Sequence, residues 1–401
     1  MSRTSVALGD ALAALFDYRG KTPKKLGGDW SSSGHRVISA LNIKDNRVDN
    51  NDHHYVGDEL YARWMKEPLR AGDVLLTSEA PTGEVAYLSS DVDWVLGQRL
   101  FALRALPGLL DGRFLYYMLR GGDVRHQLMA RSTGTTVSGI RQSELVKVML
   151  DLPPVAEQQG IAETLGALDD KIESNRKSIQ LMEDLCRAHF ERLFDTSNRD
   201  DGVPLSDLCE VNPRRSLSSG KVGTYVGMAS LPEFSAEIYD WEEKPAGSGQ
   251  RFVNGDVLMA RITPCLENGK TAVVDMLDSD HVGWGSTEYI VLAPAGSIGT
   301  EWIYCLVRNE EIRAFAIVSM TGTSGRQRFQ ADRFNQYKIA RPQQSALAEF
   351  NALAKPQFAR MTQLRDETLA LIALRDTLLP ELLSGRIRMA ETAPAIDGAS
   401  A

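Results

Sequence analysis

Basic and hydroxyl side chains cluster in two turns that are suited to holding phosphate groups. One turn, Gly-Lys-Thr-Pro-Lys-Lys, covers residues 20–25, and the other, Asn-Pro-Arg-Arg, covers residues 212–215. Ammonium, guanidinium and hydroxyl groups donate to phosphate oxygens, which positions a protein on a nucleic acid without reading its sequence. A solvated surface loop is the alternative for both turns. The candidate phosphate contacts are Lys21, Thr22, Lys24, Lys25, Arg214 and Arg215.

A second pair of turns combines exposed amides with arginine. The tripeptide Thr-Gly-Thr occurs at residues 133–135 and again at residues 321–323, each time with arginines nearby. Backbone amides in such turns can form a concave anion site, and the arginines add charge. A plain hairpin turn explains the same residues equally well. The candidates here are Arg131, Thr135, Arg141, Thr323, Arg326 and Arg328.

Two short segments are candidates for reading bases because they differ after otherwise similar sequences. Gly-Asp-Val-Leu at residues 72–75 is followed one residue later by Thr-Ser-Glu (77–79), whereas the same tetrapeptide at residues 255–258 is followed two residues later by Arg-Ile-Thr (261–263). Arginine can donate to the edge of guanine, and glutamate can accept from cytosine. The alternative is that surface residues of the two copies have diverged without a functional reason. The candidate base contacts are Thr77, Glu79, Arg261 and Thr263.

The matching segments indicate an internal repeat. Gly-Asp-Val-Leu starts at residue 72 and again at residue 255, 183 positions later. Thr-Gly-Thr starts at residue 133 and again 188 positions later, and Pro153 corresponds to Pro342, 189 positions later. Three matches in the same order predict that one unit, a globular domain followed by a long helix, has been duplicated.

A long helix is predicted from residue 152 to residue 194. Two prolines, at positions 153 and 154, end the preceding segment, and the next proline is at position 204. Apolar residues recur with a seven-residue period, which is typical of a helix that packs along a partner helix. An amphipathic helix on a globular core is the alternative. The predicted seam includes Leu165, Leu168, Ile172, Ile179 and Met182.

The partner helix is predicted between residues 344 and 383, where the same spacing continues through Leu364, Leu371 and Leu378. Pro356 falls inside this pattern, so we expect it either to kink the helix or to mark its true start after a short first helix. Asn175, Cys186 and His189 lie on the first seam, and we interpret them as register-setting or core residues rather than metal ligands.

Local patterns complete the predicted order of elements. A short helix is predicted from Val6 to Leu15, and short buried strands are predicted at residues 36–41 and 73–77. The chain then divides into a globular domain (1–151), a long helix (152–195), a second globular domain (196–340), a second long helix (341–385) and a mobile tail (386–401).

Composition restricts the functional classes. The 401 residues carry a net charge of −8, which argues against coating nucleic acid by bulk electrostatics, so any contact with DNA must be local. The four cysteines are too widely separated to form a zinc site, and they indicate a reducing compartment. The sequence has neither a convincing signal peptide nor a long apolar run. We therefore expect a cytoplasmic protein with no metal and no membrane contact.

The segment Leu-Pro-Pro-Val-Ala-Glu-Gln-Gln-Gly-Ile-Ala at residues 152–162, followed by Leu-Asp-Asp-Lys-Ile at 168–172, resembles the conserved helical region of the DNA specificity subunits of type I restriction-modification systems. The Gly-Asp-Val-Leu repeats and the Gly-Lys-Thr-Pro turn are similar to that family's target recognition domains. The resemblance extends from about Val6 to Arg386. The departures are Pro356 and the segment Arg-Pro-Gln-Gln at 341–344, which lacks the Pro-Pro and the Glu of the first helix start.

The resemblance implies a fold and a function. The fold is α+β: two mixed α/β target recognition domains separated by a pair of long antiparallel helices, with pseudo-twofold symmetry. The implied protein is not an enzyme. It binds a bipartite site on double-stranded DNA, its helix pair sets the spacer, and it docks two modification subunits that use S-adenosylmethionine to methylate adenine. Restriction subunits, two where a system has them, use ATP and Mg.

Three other functional classes fit the sequence less well. A methyltransferase would need a glycine-rich cofactor turn and an Asn/Asp-Pro-Pro-aromatic motif, and the sequence has neither. A nuclease could be built on Glu233 with the Glu-Glu-Lys segment at 242–244, but such short patterns are common and this one has no second copy. A coiled-coil scaffold that binds no nucleic acid would explain the helices and the acidic charge. It would not explain two unlike basic turns at matching positions.

Overall fold

The computed structural model describes residues 3–49, 54–134, 138–323 and 325–388. The chain divides into two compact units, and each unit combines helices with β-sheets. Unit 1 comprises residues 1–170 and 372–401, and unit 2 comprises residues 171–371. The two long helices are each divided between the units. The mixture of sheets and long helices confirms the predicted α+β class.

Unit 1 is built on a four-stranded antiparallel sheet, with a three-stranded sheet beside it. The first sheet has the order β2-β10-β7-β8 and the second has the order β6-β3-β9, in which β3 and β9 are parallel. A separate antiparallel pair joins β1 to β11. The strands are β1 (Thr4–Ala7), β2 (Leu12–Asp17), β3 (His35–Ile38), β4 (Ile43–Lys44), β5 (Arg47–Val48), β6 (His54–Val56), β7 (Val74–Thr77), β8 (Val85–Tyr87), β9 (Val95–Leu96), β10 (Leu100–Ala105) and β11 (Met149–Leu152). The helices are α1 (Asp58–Trp64), α2 (Gly112–Arg120), α3 (Gly122–Arg131), α4 (Gln142–Leu145) and the long α5 (Val155–Leu193), which continues into unit 2.

Unit 2 repeats this plan. Its sheet β13-β20-β17-β18 matches the first sheet of unit 1, and its sheet β15-β14-β19-β16 again contains one parallel pair, β14 with β19. Strand β12 pairs with β21 as β1 pairs with β11. The strands are β12 (Val203–Pro204), β13 (Glu210–Val211), β14 (Val222–Val226), β15 (Glu242–Pro245), β16 (Arg251–Phe252), β17 (Val257–Ala260), β18 (Thr271–Val273), β19 (Gly283–Gly285), β20 (Tyr289–Ala293) and β21 (Lys338–Ile339). The helices are α6 (Thr300–Arg308), α7 (Glu310–Val318) and the long α8 (Gln344–Ser384), which continues into unit 1. The predicted internal repeat is confirmed.

The Gly-Asp that precedes each central strand closes a turn. Gly72 and Gly255 have φ angles of +90° and +92°, which favour glycine because it has no Cβ. The next residue is a buried aspartate in both units. Asp73 accepts from the backbone N–H of residue 70 at 2.8 Å, and Asp256 accepts from that of residue 253 at 2.9 Å. The repeated tetrapeptide therefore encodes a turn and the strand that follows it.

The central strands are buried on both faces, which explains their continuous apolar sequences. Successive side chains of a strand point to opposite faces. In β7, Val74 and Leu76 face the core formed with α2, whereas Leu75 faces the core shared with β3 and β9. In β17, Val257 and Leu258 divide between two cores in the same way.

One local prediction is wrong, and one of the two alternatives for the second helix is excluded. The segment from Val6 to Leu15 is not an α-helix, because β1 and β2 flank a single 3-10 turn there. Pairing of β2 with β10 overrides the helix propensity of its alanines and leucines. The second helix does not start after Pro356, since α8 runs through that residue without a break. The buried neighbours Ala354 and Phe358 hold this turn against the core despite the missing proline N–H.

The two long helices run antiparallel where they meet. Within unit 2, Lys171 lies 3.4 Å from Glu367, and Arg192 lies 2.5 Å from Glu349, so positions rise along one helix as they fall along the other. All eight predicted seam residues are buried or half-buried. No helix in the described ranges is both long and apolar enough to span a membrane. The predicted mobile tail falls outside the described residues from position 389 onwards.

Candidate nucleic-acid interface

Each unit has the same backbone arrangement where its central strand ends. In unit 1 the N–H of Ser78 donates to the carbonyl of Arg99 at 2.9 Å, and the carbonyl of Ser78 accepts from Ile140 at 2.9 Å. In unit 2, Arg261 occupies the place of Ser78 and makes the corresponding bonds to Glu288 and Phe329 at 3.0 and 2.8 Å. We call these two places the strand-end sites. The Thr-Gly-Thr turn of each unit pairs beside them, through Thr133 with Gly139 and through Thr321 with Arg328.

The strand-end site of unit 2 holds one carboxylate between two guanidinium groups. Arg328 donates from Nε and Nη2 to Glu288 at 2.8–3.0 Å, and Arg261 donates from Nε to the same carboxylate at 3.2 Å. The hydrogen bond from Arg328 lowers the pKa of Glu288, and the charge of Arg261 adds to the effect. The carboxylate is therefore ionised at neutral pH, and these three side chains together carry one net positive charge.

The strand-end site of unit 1 has a different charge pattern. Arg99 stands where unit 2 has Glu288, and its Nε lies 3.1 Å from a carboxylate oxygen of Glu79. The backbone of Arg99 is left-handed, with φ of +61°. Glu79 and Arg99 are both substantially exposed and carry no net charge together. The equivalent positions of the two units thus carry side chains of opposite charge.

Two predicted base contacts point inward. Thr77 is fully buried, where its hydroxyl donates to the Pro81 carbonyl at 2.6 Å and accepts from the Glu84 N–H at 2.9 Å. Thr263 is half-buried, and its hydroxyl lies 3.4 Å from the Gln327 carbonyl. Both hydroxyls hold the strand end together. We therefore retain Glu79 and Arg261, not the threonines, as candidate base contacts.

The basic turn of unit 1 is mostly held by internal contacts. Lys21 donates to the Trp64 carbonyl at 2.6 Å, and partial burial lowers the pKa of its ammonium group. Lys25 donates to the Gly20 carbonyl at 2.8 Å, and the Thr22 hydroxyl accepts from the Lys25 N–H at 3.3 Å. Lys24 is exposed, and its ammonium group has no partner among the described residues. Lys24 is thus the side chain of this turn that remains available to a phosphate.

The arginines predicted to bind phosphate separate into engaged and exposed groups. Arg215 donates to the buried Asp256 at 3.0 Å, so it supports the turn before β17. Arg131 lies 3.5 Å from Glu144. Thr135 lies outside the described residues. The exposed candidates, whose side chains have no partner in the described ranges, are Arg141, Arg214, Thr323 and Arg326.

Known proteins resemble this chain in sequence and in fold. Residues 10–183 match the family model described as the type I restriction modification DNA specificity domain. The chain is 24% identical over 369 residues to the MjaIX specificity subunit of Methanocaldococcus jannaschii, which covers 80% of this chain and 78% of the relative. The resemblance seen in the sequence is confirmed.

Two further comparisons show similarity in part of the sequence and in the fold. The EcoEI specificity subunit of Escherichia coli is 24% identical over 220 residues, which are 53% of this chain and 36% of that relative. The crystal structure of the specificity subunit of a type I restriction-modification system from M. genitalium superposes with a TM-score of 0.57 at 17% identity, covering 95% of this chain and 96% of that one. The similarity in structure extends over both units, beyond the segment matched by the family model.

Unit 1 also contains a cleft that the sequence did not indicate. Its volume is about 380 Å³, and its wall includes Trp30, His54, Trp64 and Arg99. Trp30 is half-exposed, and its ring centroid lies 5.0 Å from that of His54. The cleft places an exposed aromatic ring beside the strand-end site of unit 1.

Sequence reasoning missed Arg99 and Glu288 because neither belongs to a repeated motif. Each lies one residue before the strand that pairs with the central strand, β10 or β20. Extending the repeat by its own offset would have aligned them, since 288 is 189 positions after 99, the spacing already found between Pro153 and Pro342. Trp30, in a segment rich in Gly and Ser, had no such signal.

Proposed function

We propose that this chain is the DNA-recognition subunit of a type I restriction-modification complex, in which each unit reads one half of a bipartite asymmetric site on double-stranded DNA. The observation that carries the proposal is the pair of strand-end sites. One backbone frame presents Glu79 with Arg99 in unit 1 and Arg261, Glu288 and Arg328 in unit 2. Two domains that share one architecture but present different side chains suit a DNA site whose two halves differ in sequence.

The acidic net charge is compatible with this function because the free cations are local. Lys24, Arg141, Arg214 and Arg326 are exposed on the turns beside the sheets and have no partner in the described part of the chain. Contacts of this kind position a protein on the backbone of DNA. A few such contacts give modest affinity, so we infer that partner subunits supply further phosphate contacts.

We propose further that the helix pair sets the unread spacer and docks two modification subunits. Leu181 and Leu185 of α5 are 69% and 49% exposed, and Leu374 of α8 is 47% exposed. Exposed leucines on a long helix suit the apolar face of a partner helix. Leu374 lies 189 positions after Leu185, which is the offset of the repeat, so the two helices offer equivalent docking positions.

The modification subunits would carry S-adenosylmethionine and methylate adenine, and restriction subunits, where present, would use ATP and Mg. This chain would act as a non-catalytic, cytoplasmic subunit. The alternative is a coiled-coil scaffold that binds no nucleic acid. It offers no reason for Arg261 to be held by Glu288 at a strand end that recurs in both units, whereas DNA recognition does.

Selection from a pool of randomised duplexes tests the proposal. The full chain should enrich two short and unlike sequence blocks separated by a spacer of constant length. The matched control for docking is the double substitution Leu185→Glu with Leu374→Glu, which should reduce co-purification of a co-expressed modification subunit without changing the selected blocks. A pool that shows no enrichment over input, both with the chain alone and with the chain bound to the co-expressed modification subunit, would reject DNA recognition and favour the scaffold.

A further inference from the structure

We propose that Arg261 reads a guanine in the half-site contacted by unit 2, and that Glu288 is the positioning residue that aims it. This inference rests on the proposed function, since it names the base that one of the two readers selects. It concerns residues on the strand-end site of unit 2 alone.

The guanidinium of Arg261 is held at one edge and free at the other. Its Nε donates to Glu288 at 3.2 Å, whereas its two terminal nitrogens have no partner among the described residues. Those terminal nitrogens form the fork that donates to O6 and N7 of guanine, which are both acceptors on the major-groove edge. The side chain is 26% exposed, so the free edge is accessible.

Arg328 fixes the carboxylate rather than competing for the base. Its Nε and Nη2 donate to Glu288, and its Nη1 donates to the Arg326 carbonyl at 3.3 Å. All three of its nitrogens are thus engaged within the protein. A carboxylate held by Arg328 cannot rotate freely, and so it presents a fixed acceptor to Arg261.

The backbone of Arg261 is equally constrained. It immediately follows β17, whose four residues are fully buried, and both its N–H and its carbonyl are bonded to neighbouring segments. A side chain that starts from a rigid strand end and is tethered at Nε loses little conformational entropy when it binds a base. These are the properties expected of a residue that reads sequence rather than one that follows phosphate charge.

Unit 1 has no arginine at the position of Arg261. Ser78 occupies the position of Arg261, 183 residues earlier, and Arg99 occupies the position of Glu288. The preference for guanine that Arg261 confers should therefore be confined to one of the two sequence blocks. That asymmetry separates base reading from a general gain in affinity.

The test uses the full chain and a randomised duplex pool, with Arg261→Lys as the main variant. Lysine keeps the charge and can still pair with Glu288, but it lacks the fork. We expect one G·C position in one block to lose its preference by roughly 5- to 150-fold, the range expected for one bidentate contact. The other block should stay unchanged.

Two further variants distinguish a residue that positions Arg261 from a residue that contacts a phosphate. Glu288→Gln should weaken the preference at the same G·C position, with the rest of both blocks unchanged, and a merely structural residue would not produce that pattern. Arg326→Ala should lower affinity for all sequences alike and reduce the salt slope by about one, as loss of a phosphate contact does.

The outcomes separate this inference from the proposed function. If the wild-type chain selects two blocks and Arg261→Lys selects the same blocks with the same strength, Arg261 does not read a base, although DNA recognition stands. Equal losses in both blocks would also overturn the assignment. If the wild-type chain selects nothing, both the proposed function and this inference are rejected.

Discussion

Arg120 of α2 and Arg308 of α6 stand 188 residues apart at equivalent positions of the repeat, yet they are stabilised in different ways. Arg120 lies 3.3 Å from Asp169, which also binds Arg375 at 2.8 Å and accepts from the Tyr117 hydroxyl at 2.6 Å. Arg308 lies 3.5 Å from Glu183, and both side chains are almost completely buried. Duplication preserved the position of the arginine while the carboxylate that neutralises it changed.

Unit 2 buries a second charged cluster close to the first. Arg365 is buried with Glu237 at 3.3 Å, and it also contacts Asp275 and Asp366. Burial, with the nearby charge of Asp275, raises the pKa of Glu237 to about 8. Unit 2 therefore depends more than unit 1 on buried charged side chains that are paired with an opposite charge. Removing one partner of such a pair strongly lowers the free energy of unfolding.

The largest expected effect comes from breaking the buried pair of unit 2. Arg308→Ala leaves Glu183 buried with only its hydrogen bonds from the Tyr304 hydroxyl and the Ala236 N–H. We expect the free energy of unfolding to fall by about 3–5 kcal/mol. Arg120→Ala is the matched control and should cost about 1–2 kcal/mol, because Asp169 keeps Arg375. Denaturant titrations measure the free energy of unfolding of both variants. Equal losses would contradict the claim that unit 2 depends more on buried charge than unit 1.

A smaller effect is expected from the pH dependence of Glu237. A carboxyl group whose pKa is raised in the folded state binds more protons there than in the unfolded chain, so its contribution to stability is lost as pH rises from about 4.5 to about 8. Glu237→Gln should remove part of that loss, on the order of 2 kcal/mol between pH 5 and pH 8. Thermal unfolding at both pH values measures it. An unaltered pH slope would show that Glu237 is ionised without penalty.

The smallest effect concerns the helix pair. Asn175 of α5 is buried and donates to Glu367 and Thr368 at 3.0 and 3.4 Å, whereas its counterpart one repeat later is the apolar Leu364. Asn175→Leu makes the two positions alike. Because Thr368 is fully buried, Thr368→Val is combined with this substitution; replacing both hydrogen-bonded partners by apolar side chains is close to neutral, so we expect the double variant to change the free energy of unfolding by less than about 1 kcal/mol in chemical unfolding. A loss above about 3 kcal/mol would mean that Asn175 is essential to the pairing.

Elements with strong local signals could be predicted from the sequence. The seven-residue periodicity predicts the long helices, and turn chemistry predicts the buried strand after each Gly-Asp. The similar offsets of the matching segments predict the repeat. Partners set by tertiary packing could not be predicted in this way. Arg215 resembled a phosphate contact until Asp256, 41 positions away, was found to bind it. Thr77 resembled a base contact, but its side chain points into the core.

The central claim is that two domains of the same architecture recognise different DNA sequences. Exchanging one of these domains tests it most directly. Residues 1–150 would be replaced by the corresponding domain of a relative with another specificity, and the DNA sequence selected by the hybrid chain would be determined. The account predicts that one block changes while the other block and the spacer stay the same. A hybrid in which both blocks change, or neither does, would contradict it.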